Sequence, residues 1–115
     1  MNDILQSILA AIETKKGLQP VVLELGDRSS IADYFVVCHA ESERQVVALH
    51  DEILERLRLE HAWKPIGVEG LGERRWVLLD YGAVVIHLFL RDLRYRYDLE
   101  DLWRRHESTA ETVRA

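Results

Sequence analysis

The sequence predicts a single mixed α/β domain, a sheet of about five strands flanked by helices in the order α-β-β-α-β-β-β-α. Three observations carry this reading. Two separate stretches repeat apolar residues at helical spacing, five short runs rich in β-branched and aromatic residues sit between turn signals, and 115 residues fit one core. The boundaries expected are a domain over residues 1–106 and a flexible tail over 107–115, which is small and polar.

Residues 2–15 read as an amphipathic helix, because Ile4, Leu5, Ile8, Leu9 and Ile12 share one face. Gly17 ends it and Pro20 prevents its return. Val21 to Leu25 is a β-branched run and reads as a strand, followed by a turn over Gly26, Asp27, Arg28, Ser29 and Ser30. Tyr34 to Cys38 is the second strand. Ser42 and Gln45 have the spacing of a capping box, opening a helix to about Glu60 with a stripe of Val46, Leu49, Ile53 and Leu57. Lys64 to Val68 is a weaker strand. A loop with Gly70 and Gly72 leads to two strong strands, Arg75 to Asp80 and Ala83 to Leu90. Gly82 can take positive φ, so Tyr81-Gly82 reads as a tight two-residue hairpin turn. The pattern after Leu90 is helical again, with Leu93, Tyr97 and Trp103 available to pack back on the sheet.

Strand residues alternate faces, so the hairpin separates into two sets. Under the two-residue turn, Asp80 pairs with Ala83, Leu78 with Val85 and Trp76 with His87. Val77, Leu79, Val84, Ile86 and Leu88 form a purely aliphatic face that reads as core beneath a helix. Trp76, Leu78, Asp80, Ala83, Val85, His87 and Phe89 form the other, which is mixed. Aromatic residues with a few polar groups compose a protein-binding patch. The same set also reads as core, with His87 a hydrogen-bonded interior histidine, because large aromatics are usually mostly buried.

Composition narrows the partners. The net charge is −5, with 15 basic and 20 acidic residues, and no basic run exceeds the pairs Lys15-Lys16, Arg74-Arg75 and Arg104-Arg105. A protein that neutralises phosphates needs a positive surface, so direct sequence-specific nucleic-acid binding is disfavoured and a basic protein partner is favoured. Arg and Tyr alternate near Tyr95, but Asp92, Asp98, Glu100 and Asp101 among them repel phosphate. Met1 to Ala11 has no basic n-region, so no secretory leader is expected there. The longest apolar run, Ala83 to Leu90, is too short to span a membrane. Cys38 is the single cysteine, which rules out an internal disulfide and suits a reducing cytoplasm.

Chemistry-bearing constellations are sparse. His39, His50, His61, His87 and His106 form no close pair at metal-ligand spacing, and Cys38 and His39 are adjacent on a strand and point to opposite faces. No metal or other cofactor is expected. Cys38 closes an apolar strand, where a thiol behaves as a small hydrophobe. The order of elements loosely matches small nucleotidyltransferases, with Gly26, Ser29, Ser30 and Asp33 as a glycine-serine turn and downstream acid. Two-metal chemistry needs converging carboxylates, and Asp33 is followed by Tyr34 and Phe35 with no second acid. Asp27 and Asp33 read as turn-fixing residues. An enzyme acting on a nucleotide or RNA is the alternative from another class, and a dimeric adaptor using the mixed hairpin face is a third.

Three stretches then carry a resemblance: Ser30-Ile31-Ala32-Asp33-Tyr34-Phe35-Val36-Val37 with Ser42-Glu43-Arg44-Gln45-Val46; Trp76-Val77-Leu78-Leu79-Asp80-Tyr81-Gly82 running into Val84-Val85-Ile86-His87-Leu88-Phe89-Leu90; and Arg94-x-Arg96-Tyr97-Asp98-Leu99-Glu100-x-Leu102-Trp103. In this order, from about residue 4 to residue 104, the chain resembles the ribosomal silencing factor (RsfS/Iojap) family. The resemblance implies a non-enzymatic cytoplasmic factor, often a homodimer. It binds the large ribosomal subunit through ribosomal protein uL14, sterically blocks the small subunit and represses translation. It also implies a contact surface on the mixed hairpin face, with Trp76 as anchor, Leu78 and Phe89 its apolar surround, and Asp80 and Glu69 polar contacts. Tyr81, Val85 and His87 complete the expected partner-binding set. Two departures stand out: Ala83 where the family commonly has an acid, and His39-Ala40-Glu41 in place of a small Gly/Thr-rich stretch.

Overall fold

The computed structural model describes residues 2–26, 31–97 and 113–114. Its elements are α1 (Asn2–Thr14), β1 (Leu18–Glu24), β2 (Tyr34–Ala40), α2 (Glu43–His61), β3 (Gly67–Glu69), β4 (Trp76–Asp80), β5 (Val84–Leu90), α3 (Arg91–Tyr97) and β6 (Val113–Arg114). The sheet runs β3-β4-β5-β2-β1-β6. β2 and β5 pair in parallel at its centre and the other pairs are antiparallel. The mixed α/β class, the five expected strands and the element order therefore hold. The sixth strand is an addition: Val113 and Arg114, inside the segment expected to fray, pair with β1, and residues 107–112 and 115 lie outside the described residues.

α1 buries Leu5, Ile8, Ala11 and Ile12. Lys16 rather than Gly17 takes the left-handed turn at its end, with φ 62. The Lys16 N–H then bonds Glu13 O, and the Gly17 N–H bonds Ile12 O, the paired bonds that close a helix. Gly17 answers a packing need instead, because a Cβ there would sit 2.6 Å from Ile12 Cγ2.

β1 begins at Leu18, three residues before the expected Val21. Leu18 pairs with His39 and Val21 with Val37, so two residues of β1, Gln19 and Pro20, stand against one of β2, Cys38. Gln19 has φ 48 and Pro20 has no N–H to offer the ladder. A bulge is the place in a strand where proline is tolerated, which is why the strand continues through it.

Ser42 caps α2 as its spacing predicts, its hydroxyl accepting the Gln45 N–H at 3.1 Å. The Gln45 amide donates to Lys15 O and Lys16 O and so ties the end of α1 to the start of α2. The α2 stripe buries Val46, Leu49, His50, Ile53 and Leu57 against the sheet. α2 ends at Ala62, whose φ of 53 lets its N–H and that of Trp63 close the last turn.

Two cores lie on opposite faces of the sheet. One joins α1 and α2 to Val36, Cys38, Val77, Leu79, Val84, Ile86 and Leu88. The other comprises Leu23, Leu25, Ala32, Phe35, Val37, Val85, Phe89 and Leu93, with Val21, Trp76 and Leu78 at its margin. The aliphatic and mixed hairpin sets thus face opposite cores, as the alternation predicts, except Ala83, which lies in the turn before β5 and packs on the core beneath α2.

Candidate partner-binding surface

The hairpin that builds the mixed face has a different register from the two-residue turn expected. Asp80 pairs with Val85, Leu78 with His87 and Trp76 with Phe89. Four residues, Tyr81 to Val84, separate the last pair, and of these Val84 already belongs to β5. Gly82 sits at φ 85, the Ala83 N–H reaches back to Tyr81 O at 3.1 Å, and the Tyr81 N–H bonds Val84 O at 2.9 Å. The Asp80 carboxylate fixes this turn by accepting the Gly82 N–H at 2.8 Å. One residue added to each side moves every pair by two positions in sum and leaves the faces unchanged.

Trp76 opens β4 and is half-buried, as are Leu78 and Asp80, while Glu69 at the end of β3 is exposed. The Trp76 ring lies over Phe89 with centroids 4.8 Å apart and planes 34° apart. Its Nε1–H donates to His87 Nδ1 at 3.2 Å. Burial holds the His87 imidazole neutral, its pKa pushed down to about 4. Beside Trp76 opens a cleft of about 490 Å³, with Glu69, Glu73, Arg75, Leu78, Leu93 and Arg96 on its walls.

Four of the eight residues expected at this surface are enclosed by the chain itself. Phe89 is 1% exposed, His87 4% and Val85 5%. They lie on the mixed face, but β5 is a central strand and its flanking strands and α3 close over them. Tyr81 is also buried, and on the opposite side: it belongs to the core beneath α2 and stacks on Trp63 with centroids 4.9 Å apart. Burial pushes its hydroxyl up to about 12. The accessible part of the expected set is thus Trp76, Leu78, Asp80 and Glu69. Glu73, Arg75 and Arg96 were not anticipated beside them. Arg96 comes into place because α3 follows β5 without a loop, so that its residues fold back over the mixed face.

The remaining candidates do not assemble. Among the described residues no three His, Cys, Asp or Glu side chains converge as a metal site. Cys38 is enclosed, and burial pushes its thiol up to about 12, far from a reactive thiolate. His39 and Arg94 form a buried pair at 3.0 Å. Asp33 is exposed beyond the start of β2, its backbone bonded to Leu25 and Ala83. Asp27, Ser29, Ser30, Trp103 and His106 lie outside the described residues. No helix among the described residues is long and apolar enough to cross a membrane.

Fold and surface together define a small mixed α/β domain that presents a part-exposed tryptophan beside acidic and basic side chains on one sheet face. The family profile described as RsfS, ribosomal silencing factor during starvation, matches residues 1–115. A ribosomal silencing factor of Halalkalibacterium halodurans is 42% identical over 102 residues, covering 89% of this chain and 86% of the relative. That of Bacillus subtilis is 40% identical over 102 residues, with the same two shares. The crystal structure of a Chromobacterium violaceum protein superposes with a TM-score of 0.84 at 32% identity, covering 90% of this chain and 85% of the other. The chain belongs to the ribosomal silencing factor family.

Proposed function

We propose that this protein binds the large ribosomal subunit through ribosomal protein uL14 and represses translation by physically obstructing the small subunit, without catalysis. The observation that carries this reading is Trp76. A tryptophan, costly to leave in water, stands part-exposed on a sheet, packed on Phe89 beside a cleft walled by Glu69, Glu73, Arg75 and Arg96. A rigid aromatic surrounded by partly desolvated polar groups is the composition of a binding hot spot. Membership of the family supplies the ribosome as the class of partner. The net charge of −5 favours encounter with a basic protein surface. A factor that acts on ribosomal subunits works in the cytoplasm, and a homodimer in the free state is part of the same proposal.

Co-sedimentation of the purified protein with separated subunits tests it. Selective pelleting with large subunits, together with their failure to join small subunits, is the expected result. Trp76→Ala is expected to abolish both. Pelleting with neither subunit, or equally with both, would remove the reading, and sedimentation of the free protein decides the dimer.

A further inference from the structure

We infer that His87 is a positioning residue for Trp76: through Nδ1 it holds the indole in the orientation that meets the partner, without touching the partner itself. The inference rests on the preceding assignment of Trp76 as anchor. An indole N–H can only donate, so the 3.2 Å contact makes His87 Nδ1 the acceptor and places the imidazole proton on Nε2. That Nε2 is buried and has no hydrogen-bond partner among the described residues. A buried unsatisfied N–H costs stability that a leucine in the same place would not. The fold therefore keeps a histidine in its core where packing alone favours an aliphatic residue, and the acceptor presented to Trp76 is what the histidine adds.

The acceptor is also immobile. β5 lies between β4 and β2. The His87 ring meets Phe35 edge-on at 4.7 Å and lies parallel to Phe89 at 11°, 6.2 Å between centroids. Trp76 differs: it is the first residue of its strand and half-buried. Its two ring contacts act separately. Stacking on Phe89 sets the plane of the indole, and the bond to His87 decides which edge of that plane turns inward. Without the bond, the packing on Phe89 alone does not select the edge of the indole that faces inward. Fixing it in advance removes an ordering cost from binding.

Four variants test this: His87→Leu, His87→Asn, Trp76→Phe and the double variant Trp76→Phe/His87→Leu. Each is read by thermal melting, by binding to isolated large subunits, and by hydrogen exchange of the tryptophan indole N–H signals in ¹⁵N spectra. The Trp76 signal is assigned by its loss in Trp76→Phe. His87→Leu should melt at or above the wild-type temperature and bind about tenfold more weakly, the equivalent of one hydrogen bond. A purely structural role would lower both together. His87→Asn, whose Oδ1 stands near the place of Nδ1, should restore binding. In the Trp76→Phe background His87→Leu should cost nothing further. Exchange at Trp76 should be slow in the wild type and in His87→Asn, and fast in His87→Leu. Wild-type binding by His87→Leu, or an equal loss in both backgrounds, would overturn the inference. If His87→Leu does not fold, His87→Asn and wild-type exchange decide. If the wild type itself binds no large subunit, the functional reading fails, and a fast-exchanging Trp76 N–H in the free protein separately refutes the positioning role.

Discussion

Arg94 and His39 are joined inside the protein: the Arg94 Nη1 lies 3.0 Å from His39 Nδ1, and only 4% of the arginine and 1% of the histidine are exposed. A guanidinium only donates, so His39 Nδ1 accepts. Arg94 Nη1 also donates to Leu18 O at 3.2 Å and Gln19 O at 2.7 Å, its two protons shared among the three acceptors. Those are the carbonyls beside the β1 bulge, where the ladder slips between Leu18 and Val21. Arg94 thus fastens α3 to the one irregular stretch of the antiparallel edge.

Arg94→Met keeps most of the side-chain volume and removes the donors. A buried imidazole nitrogen and two part-buried carbonyls then lose their donor, and the loss should be about 2 kcal/mol, read as a lowered urea midpoint. Lys at this position is expected to recover only part, since it lacks the planar fork.

Asp80 separates a structural role from a binding one. Its carboxylate caps the Gly82 N–H at 2.8 Å. Asp80→Ala should cost about 1 kcal/mol through the turn. Asp80→Asn retains an acceptor and should melt close to the wild type. Weaker large-subunit binding by the Asn variant at unchanged stability would assign the charge to a basic partner.

His87 sets the acid limb of stability. Its pKa is about 4 folded against an ordinary 6.5, so between these values the unfolded chain binds the extra proton. Stability is then complete above about 6.5 and falls as pH drops towards 4, by roughly 3 kcal/mol in all. Denaturant midpoints measured across this range should fall in the wild type and flatten in His87→Leu. On the alkaline side, Cys38 and Tyr81 are both raised to about 12, so stability is lost as pH climbs from about 9 towards 12.

Gly17→Ala should destabilise by about 2 kcal/mol, because its methyl would meet Ile12 Cγ2 at 2.6 Å and Leu49 Cδ2 at 3.1 Å, which pack α1 against α2. Gly70→Ala is harsher in a different place. Gly70 has φ 87 and its added Cβ would fall on the Trp76 carbonyl, so the variant should displace the anchor strand and lose subunit binding with it.

Much of this was legible in the residues. Ser42 and Gln45 marked the start of α2, and the alternation from Trp76 to Phe89 divided the strands of the hairpin between the correct faces, missing only Ala83 in the turn. The turn length was not legible, since Gly82 at positive φ suits a two-residue and a four-residue connection equally. β1 was cut short at Pro20 because a bulge leaves no signature beyond the proline itself. Alternation assigns a residue to a face but says nothing of what covers that face, which is why Val85, His87 and Phe89 read equally as patch and as core until the structure showed them enclosed. Tyr81 was misplaced for a simpler reason: the residue after Asp80 turns to the other side of the sheet, under Trp63. The strand at Val113 and Arg114 lacks any local signal, being defined only by the edge of β1 that it meets.

The parallel pairing of Tyr34–Ala40 with Val84–Leu90 has a consequence for synthesis. An antiparallel hairpin can zip as soon as its second arm appears, but this central pair must wait for the distant strand, a non-local closure of the kind that slows folding. Since β5 also supplies Phe89 and His87 beneath Trp76, the nascent chain cannot seat that indole until its last central strand has been made. On the function proposed above, the chain therefore has nothing to offer its partner until synthesis has passed β5.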